Sequence, residues 1–511
     1  MRVFLCIYFS VLLCNVAFTQ EKYNYTWLSG FYAKDNRPDA TMIAFTDSSA
    51  SLSLIDKING GLFGSSVMSD KDGNLLFYSD GCFISNKLHQ TMENGDSINT
   101  PGWLYQTKCA ADPDFVAGYT TSQGVMALPW PGQKDLYLLF HFYDGDDVLQ
   151  HFQLWYSIVD MGANNGLGRV VEKNKLLYMS DVRLDDGFTA VRHGNGRDWW
   201  LFCANDKNTY IRFLLSPKGI EGPFFQEVGG EALREMGIFN QFVFSPDGNW
   251  FARTNANFEG GVLLMRFDRC AGRFYQPRYI RSYKAGLFQV AGAAFSHDSR
   301  YLYFNTFNEL LQYDMDWVSS NNKPVSVGVY DGFIDNFPTN FFRMMLAPDK
   351  KIYICAANGV SSFHVIHRPD LPAPACDFVQ RGLPLGSFNA IGLNNNPFYQ
   401  LYNLPESQCD TLGITPPPGY ESAMPWTPEQ GISLHPNPAN ERAYLALAAG
   451  YGGRLRVYNP LGQLVYGFDD WQGPQGIELP TAEWPAGMYY IELYYEAFGP
   501  RRFVEPLVVV H

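Results

Sequence analysis

Charged residues are scarce in this chain, and basic ones are outnumbered by acidic ones. Only 17% of the 511 residues are charged, and 38 Lys and Arg against 51 Asp and Glu give a formal net charge of −13. No cluster of Lys and Arg interrupts this balance. A protein that follows nucleic-acid phosphates needs a basic surface, so the composition excludes a nucleic-acid partner. The aromatic content of 16% indicates a β-rich protein with large rings in its core.

Motifs of several enzyme classes are missing. There is no G-x-S-x-G elbow, which excludes the peptidases that carry an α/β-hydrolase domain, and no H-E-x-x-H, P-loop or dinucleotide fingerprint. The S-x-D-x-G-x-T-W boxes of sialidase-like proteins are absent as well. A carboxylate pair for glycoside hydrolysis stays open, because folding can join distant residues, but no pair stands out.

Long apolar runs are absent after the N-terminus. Residues 1–20 have the layout of a secretory signal, with Arg2 as the basic region, an apolar stretch over 3–16 and a cleavage neighbourhood at 17–20. A lipoprotein site at Cys14 is the alternative, disfavoured by the bulky Leu13. No later run approaches the roughly 20 residues that cross a bilayer, so we expect an exported chain without a spanning helix.

Cysteines are few, and none has the C-x-x-C spacing of a zinc or redox site. Seven remain after the signal, and an oxidising compartment would allow disulfides while leaving at least one thiol free. We predict bonds from Cys82 to Cys109 and from Cys376 to Cys409. The other three, Cys203, Cys270 and Cys355, are expected to be buried as small apolar residues, although their pairing stays open.

One local pattern recurs at a constant step. Asp247, Asp298 and Asp349 lie 51 residues apart, each in a turn that precedes a short apolar or aromatic strand. A second apolar run follows in each copy. Stacked units of this length with two or more strands are typical of β-propeller blades, and the repeated aspartates are predicted to form turns through their side chains.

The same pattern extends upstream with looser spacing, which makes six visible hairpins. The leftover stretches, residues 23–45 and 388–402, could supply one more blade shared between the chain ends. We therefore predict an all-β fold with a seven-bladed propeller over residues 21–410, with six or eight blades as alternatives. A β-sandwich array is the competing interpretation, but it does not require a constant step.

A second domain follows a spacer. Residues 411–431 are rich in proline, which favours an extended linker. Residues 432–511 carry alternating strand patterns with turns at Asn459-Pro-Leu-Gly462 and Trp484-Pro-Ala-Gly487, as expected of a small Ig-like antiparallel β-sandwich.

This last region resembles a known family. Its P-N-P, N-x-x-G and G-x-Y-x-I elements occur in the order found in the type A C-terminal sorting domain of type IX secretion cargo of Bacteroidota. The resemblance implies recognition by the type IX machinery and delivery to the cell surface or medium. The matching residues are Pro436, Asn437, Pro438, Asn459, Gly462, Gly487 and Tyr489. The chain end departs from the family, since Arg501-Arg502 replace its Lys-rich strand.

Residues 25–410 resemble, more loosely, secreted WD40-like or TolB-like propellers of the same bacteria. The strings that carry this resemblance include Leu75-Leu-Phe-Tyr-Ser-Asp-Gly-Cys82 and His193-Gly-Asn-Gly-Arg-Asp-Trp-Trp200. This resemblance implies a propeller fold and export from the cell, and it implies no activity.

Two clusters are candidate sites. His193, Trp199 and Trp200 could hold a sugar, although the intervening glycines and Asp198 also fit a hairpin turn. Asp144, Asp146 and Asp147 form an acidic loop that could bind Ca²⁺, although a solvated turn is the favoured interpretation, since the EF-hand pattern is missing. Beyond this Ca²⁺ no cofactor is expected.

The favoured function is a binding scaffold for an unknown extracellular ligand, a glycan, peptide or surface partner. Aromatic faces at Trp103, Trp130, Trp155, Trp199 and Trp317 suit carbohydrate. The alternative is a carbohydrate-active hydrolase or lyase with carboxylates in the central funnel.

Overall fold

The structure is a computed structural model of the chain. It describes residues 21–511 except 32–37, 59, 111–117, 119–120, 122, 144–150, 206–207, 230–239, 257–259, 282–289, 316–322, 390–391, 406, 415, 417–431, 436, 448–451, 473–476, 496–500 and 511.

Antiparallel strands in the first 389 residues form six sheets. Sheet 1 contains β1 (Thr26–Gly30), β2 (Ala40–Phe45) and β3 (Ala50–Ile55), and sheet 2 contains β4 (Ser66–Ser69), β5 (Leu75–Ser79) and β6 (Ile84–Asn86). Sheet 3 contains β7 (Val125–Pro129), β8 (Leu136–Tyr143), β9 (His151–Asp160), β10 (Arg169–Arg192), β11 (Trp199–Asn205), β12 (Thr209–Ser216) and β13 (Gly219–Glu227).

Three four-stranded sheets follow. Sheet 4 contains β14 (Phe242–Phe244), β15 (Trp250–Asn255), β16 (Gly261–Asp268) and β17 (Arg273–Arg281), and sheet 5 contains β18 (Gly292–Phe295), β19 (Tyr301–Thr306), β20 (Glu309–Asp314) and β21 (Val325–Val329). Sheet 6 contains β22 (Met344–Leu346), β23 (Ile352–Ile354), β24 (Val360–Ile366) and β25 (Phe378–Asn389). Short helical turns are Tyr105–Cys109, Asn164–Gly166 and Thr481–Glu483.

The hydrophobic core joins these sheets in a closed circle. Each sheet shares one cluster of buried side chains with the next, from sheet 1 through sheet 6. A further cluster joins sheet 6 back to sheet 1, where Trp27 and Phe45 pack against Tyr353. A ring of sheets packed face to face is the architecture of a β-propeller, so the predicted fold class is confirmed.

Sheet 3 contains one strand that serves two neighbours. The first half of β10 pairs with β9 and its last residues pair with β11, with irregular register between the halves. If sheet 3 is divided at this break in β10, the described sheets give seven units of three or four strands. The count of seven blades stays a prediction, because it depends on where sheet 3 is divided.

The 51-residue repeat corresponds to the turn between the first two strands of sheets 4, 5 and 6. Oδ1 of each repeated aspartate accepts a hydrogen bond from the backbone N–H two residues later, at 3.0 Å for Asp247 and Asp298 and 3.4 Å for Asp349. In the first two copies a serine hydroxyl two residues before also donates to the carboxylate. The prediction that these aspartates form turns is confirmed.

Residues 392–404, here called the channel segment, form no strand and yet are buried along almost their whole length. The side chain of Asn395 donates to the backbone O of Gln123 at 3.2 Å, and the Tyr399 hydroxyl donates to Ala127 O at 2.9 Å. From Asn395 to Tyr399 the segment advances by four residues, and its hydrogen-bond partners, Gln123 and Ala127, also lie four residues apart. The segment therefore runs along the first strands of the sheets, where a propeller has its central channel.

The predicted blade shared by residues 23–45 and 388–402 is wrong. The first stretch supplies β1 and β2 of sheet 1, whose third strand is β3, while the second leaves sheet 6 at Asn389 and enters the channel. Side chains of this segment bond to the sheets instead, as Asn394 does by exchanging hydrogen bonds with both backbone groups of Leu28. A run rich in asparagine thus replaces strand pairing at the end of the domain.

Two disulfides are present, and one differs from the prediction. Cys82 is bonded to Cys109, as expected. Cys409 is bonded to Cys270, not to Cys376, which is a buried free thiol between sheets 5 and 6. The Cys376–Cys409 prediction relied on closeness in sequence, but the channel segment carries Cys409 away to the hairpin that joins β16 to β17. Cys203 and Cys355 are buried and form no disulfide, as expected.

The tail forms two antiparallel sheets around one core. One sheet has the order β26 (Ile432–His435), β27 (Ala443–Leu447) and β30 (Ile477–Leu479). The other has the order β29 (Leu464–Gln472), β28 (Gly452–Tyr458), β31 (Gly487–Tyr495) and β32 (Arg501–Val509). Side chains of both sheets pack together, which confirms the predicted sandwich.

Candidate ligand site in the central channel

A cavity lies between the channel segment and the first strands of sheets 4, 5 and 6. The volume available to the centres of water molecules is about 70 Å³. This is room for several water molecules or for a ligand with a handful of heavy atoms. Its walls combine apolar side chains with amides. The lining residues are Asn24, Gln123, Thr189, Ala190, Gln241, Phe242, Val243, Phe244, Pro246, Ala294, Phe295, Arg343, Met344, Met345, Leu346 and residues 393–398.

Arg343, which directly precedes β22, is the charged residue of this cavity. Its side chain is 4% exposed, and its Nε, Nη1 and Nη2 atoms all lack a hydrogen-bond partner among the described residues. Burial lowers the pKa of the guanidinium to about 10, while Cys355, Asp186 and Asp185 act in the opposite direction. The group is therefore a cation at neutral pH, held in a poorly hydrated place.

The amides around the cavity are already paired. Gln241 donates through Nε2 to Met344 O at 2.7 Å, and its Oε1 accepts from Ala293 N at 3.3 Å. Gln123 donates to Phe242 O and to the side chain of Asn395. These amides tie the sheets and the channel segment together, so the unpaired donors of the cavity belong to Arg343.

Another buried arginine, Arg253, has a carboxylate partner for its charge and its N–H donors. Arg253 is 0% exposed and makes a salt bridge of 2.7 Å with Asp185, which also accepts from the Asn240 side chain. The neighbouring Asp186 is paired with Arg183 at 2.8 Å. Both carboxylates are thus engaged by other residues, and Arg343 has no such partner among the described residues.

The sugar site predicted at His193, Trp199 and Trp200 is not supported. Trp199 and Trp200 are 1% and 6% exposed, so neither indole offers a face to a ligand. Trp199 packs under the Arg192 guanidinium at 4.3 Å, and Trp200 Nε1 donates to Arg269 O at 2.9 Å. Successive residues of a strand point to opposite faces, and both faces of β11 are covered, since Trp199 packs in the core of sheets 2 and 3 and Trp200 packs in the core shared with sheet 4.

His193 is held by the backbone on both sides of its ring. Nδ1 accepts from Asn195 N at 3.0 Å, which leaves Nε2 to donate to Cys270 O at 3.2 Å. Burial lowers its pKa, which favours this neutral tautomer. Asp198 is paired with Arg197 and with the Asn195 side chain. These contacts build the hairpin turn and leave no general base.

The predicted Ca²⁺ residues Asp144, Asp146 and Asp147 lie outside the described residues. His141, before this loop, is buried between the side chains of Asn99 and Ser157, and burial lowers its pKa to about 3. Over the described parts of the chain, no three His, Cys, Asp or Glu side chains are placed to share a metal ion.

The predicted aromatic faces are only partly available. Trp155 stacks on Tyr143 with ring centres 4.2 Å apart, and Trp130 Nε1 donates to Ser216 O. These two and Trp103 are half-buried, whereas Trp317 falls outside the described residues.

Arg343 was missed by the sequence analysis. The available signal was a single charge within an apolar run, since Phe341 and Phe342 precede it and Met344-Met-Leu346 follow it. A charge within a buried apolar run is expected to be either paired or functional.

The tail motifs have clear structural roles. Asn437 clasps the last strand, donating to Pro506 O at 2.8 Å and accepting from Val508 N at 2.9 Å. Asn459 Oδ1 accepts from Leu461 N and Gln463 N, and Gly462 has a φ of 77°, which glycine adopts without strain.

The G-x-Y element lies at the start of β31. Gly487 opens that strand opposite Val509, and the buried Tyr489 donates through its hydroxyl to Pro485 O at 2.8 Å. Pro438 is exposed, and Pro436 is outside the described residues.

Comparison with known families matches this tail. The model of the secretion system C-terminal sorting domain aligns with residues 433–497. The tail is a type IX sorting domain. The sorting domain identifies the chain as type IX cargo, and hence as a secreted or cell-surface protein. Two disulfides agree with an oxidising location. In the described residues, helices are too short or too polar to cross a membrane.

The chain is similar, at low sequence identity, to several solved structures. A functionally unknown protein from Desulfotomaculum acetoxidans is 12% identical, with 71% of this chain and 98% of that chain covered and a TM-score of 0.37. A gluconolactonase from Xanthomonas campestris is 11% identical, with 67% and 96% covered and a TM-score of 0.31. No curated protein matches. Similarity this low says nothing of the activity of this chain.

Proposed function

We propose that this exported chain is a binding protein, whose propeller holds a small ligand in the central cavity and whose sorting domain delivers it to the cell surface or medium. The cavity carries this proposal. It combines apolar walls from sheets 4, 5 and 6 with polar groups of the channel segment, which is the usual composition of a small-molecule site.

The lining favours binding over hydrolysis or a lyase reaction. No Asp, Glu or His is present among the described residues that line the cavity, whereas acid–base catalysis needs such a group within hydrogen-bond reach of the substrate. The buried channel segment also lies in the funnel in which paired carboxylates would have to converge.

A ligand screen on the full mature chain tests the binding part. We expect a small molecule, rather than a long glycan or a folded protein, to raise the melting temperature in a saturable way. Glycan and protein arrays on the same sample cover the other ligand classes. Binding of an oligosaccharide or a protein partner, with no small molecule bound, would refute the cavity as the site.

Deletion of residues 432–511 tests the delivery part. The truncated chain should accumulate as folded protein in the periplasm, because the propeller and the sorting domain have separate cores. Cell fractionation with surface protease digestion measures this. Normal surface delivery of the truncated chain would contradict the role of the tail.

A further inference from the structure

We propose that Arg343 binds the carboxylate of a small organic acid in the central cavity. This rests on the proposed binding function and names its ligand class. The decisive observation is a residue of the cavity lining that is 4% exposed and whose three guanidinium nitrogen atoms have no hydrogen-bond partner among the described residues, beside a cavity large enough for a few heavy atoms.

A buried cation without a partner is a costly arrangement. Unpaired buried charges are avoided in folded proteins because the interior cannot replace their hydration. The same chain pairs Arg253 with Asp185 at 2.7 Å. The three nitrogen atoms of Arg343 are shielded from water as well as from protein acceptors, so an anion bound beside them would satisfy both the charge and the donors.

The charge and shape of the site favour a carboxylate over a phosphate. Arg343 is the only charged residue among the described residues that line the cavity, so one negative charge is neutralised there. A phosphate near neutral pH carries between one and two charges and would need further donors. The planar guanidinium fork matches a carboxylate in a bidentate arrangement.

The apolar walls imply a ligand with a short carbon skeleton. Phe242, Ala294 and Met344 are among the buried residues around the cavity. They can contact methyl or methylene groups while the carboxylate faces Arg343. The small volume limits the ligand to a short monocarboxylic acid of the size of acetate or lactate.

The test measures melting temperatures of the full mature chain at constant ionic strength with acetate, propionate, lactate and pyruvate. Lactamide serves as the neutral counterpart of lactate, and inorganic phosphate as the competing anion. We expect at least one of the four acids to stabilise the protein in a saturable way, and lactamide to have no effect. Stabilisation by phosphate alone, by lactamide to the same extent, or by none of the four acids would overturn the assignment.

Variants at position 343 connect this effect to the guanidinium. Arg343→Gln should weaken binding of the acid by about tenfold or more, and Arg343→Lys should retain part of it, because a charge-assisted bond is lost or kept. Equal binding of the acid by wild type and Arg343→Gln would refute the role of Arg343. A neutral ligand bound equally by both would refute this inference and leave the proposed binding function standing.

Stability without ligand gives an independent measurement. Arg343→Met removes an unpaired buried charge, so its melting temperature should equal or exceed that of wild type. The matched control, Arg253→Met, should lower the melting temperature strongly because it leaves Asp185 unpaired. A loss of stability in Arg343→Met as large as that in Arg253→Met would show that the guanidinium serves the fold.

Discussion

Gly194 and Cys409 are so close that a β-carbon on the glycine would lie 2.4 Å from the cysteine Sγ. The other sulfur of the disulfide, on Cys270, would be 2.9 Å away. Gly194 O also accepts from Leu404 N at 2.8 Å. The glycine turn after β10 is therefore the place where the end of the channel segment is fastened to the ring.

Replacement of Gly194 by alanine should disturb this attachment. We expect a loss of about 1–3 kcal/mol in the free energy of unfolding, because the new methyl group overlaps both sulfur atoms, and partial alkylation of Cys409 under non-reducing conditions. Gly359→Ala is the control, since the nearest atom to its β-carbon would be 3.7 Å away. Wild-type stability with a fully formed disulfide in Gly194→Ala would contradict the described packing.

Loss of the Cys270–Cys409 bond should destabilise the propeller. The two cysteines are 139 residues apart, and the chain-entropy model gives up to about 5 kcal/mol for a loop of that size. Urea unfolding of Cys409→Ser should show this loss, whereas Cys376→Ala should keep both disulfides. Recovery of a Cys376–Cys409 peptide from the native protein by mass spectrometry would overturn the assignment.

Removal of a turn aspartate should affect stability alone. Asp298 Oδ1 accepts from Ser296 Oγ at 2.6 Å and from Arg300 N at 3.0 Å. Asp298→Ala should therefore cost about 0.5–2 kcal/mol in thermal or urea unfolding. Ligand affinity should not change, because this turn is not part of the cavity lining. If Asp298→Ala lost ligand binding but kept the stability of the wild type, the functional site would have to be sought at the hairpin turns.

Asp80 should make stability depend on pH. The side chain is 1% exposed, and burial raises its pKa from 3.8 to about 7. Between these values the folded chain holds a proton that the unfolded chain has released. The contribution is therefore complete below about pH 4 and is lost as the pH rises through about 7. Melting temperatures from pH 4 to 8 should fall less steeply in Asp80→Asn than in wild type, and identical profiles would contradict the shift.

The sequence predicted the features that depend on a local pattern and missed several that depend on long-range packing. The aspartate turns of Asp247, Asp298 and Asp349 depend on neighbouring residues only, so their roles could be read from the local pattern. The path of residues 392–404 depends on partners scattered from Leu28 to Arg269, and no local pattern encodes such a path. The wrong partner of Cys409 and the overlooked Arg343 both follow from this long-range packing, as does the burial of Trp199.

The position of Cys409 also determines how the molecule responds to a pull from its tail. Cys409 lies between the channel segment and the proline-rich linker to the sorting domain. Tension that enters through the linker reaches the covalent bond to Cys270 before it reaches the hydrogen bonds of the segment. The load then passes into sheet 4, and residues 392–404 remain slack. In a chain that is held by its tail, the disulfide would therefore keep the channel segment from being pulled out of the ring of sheets.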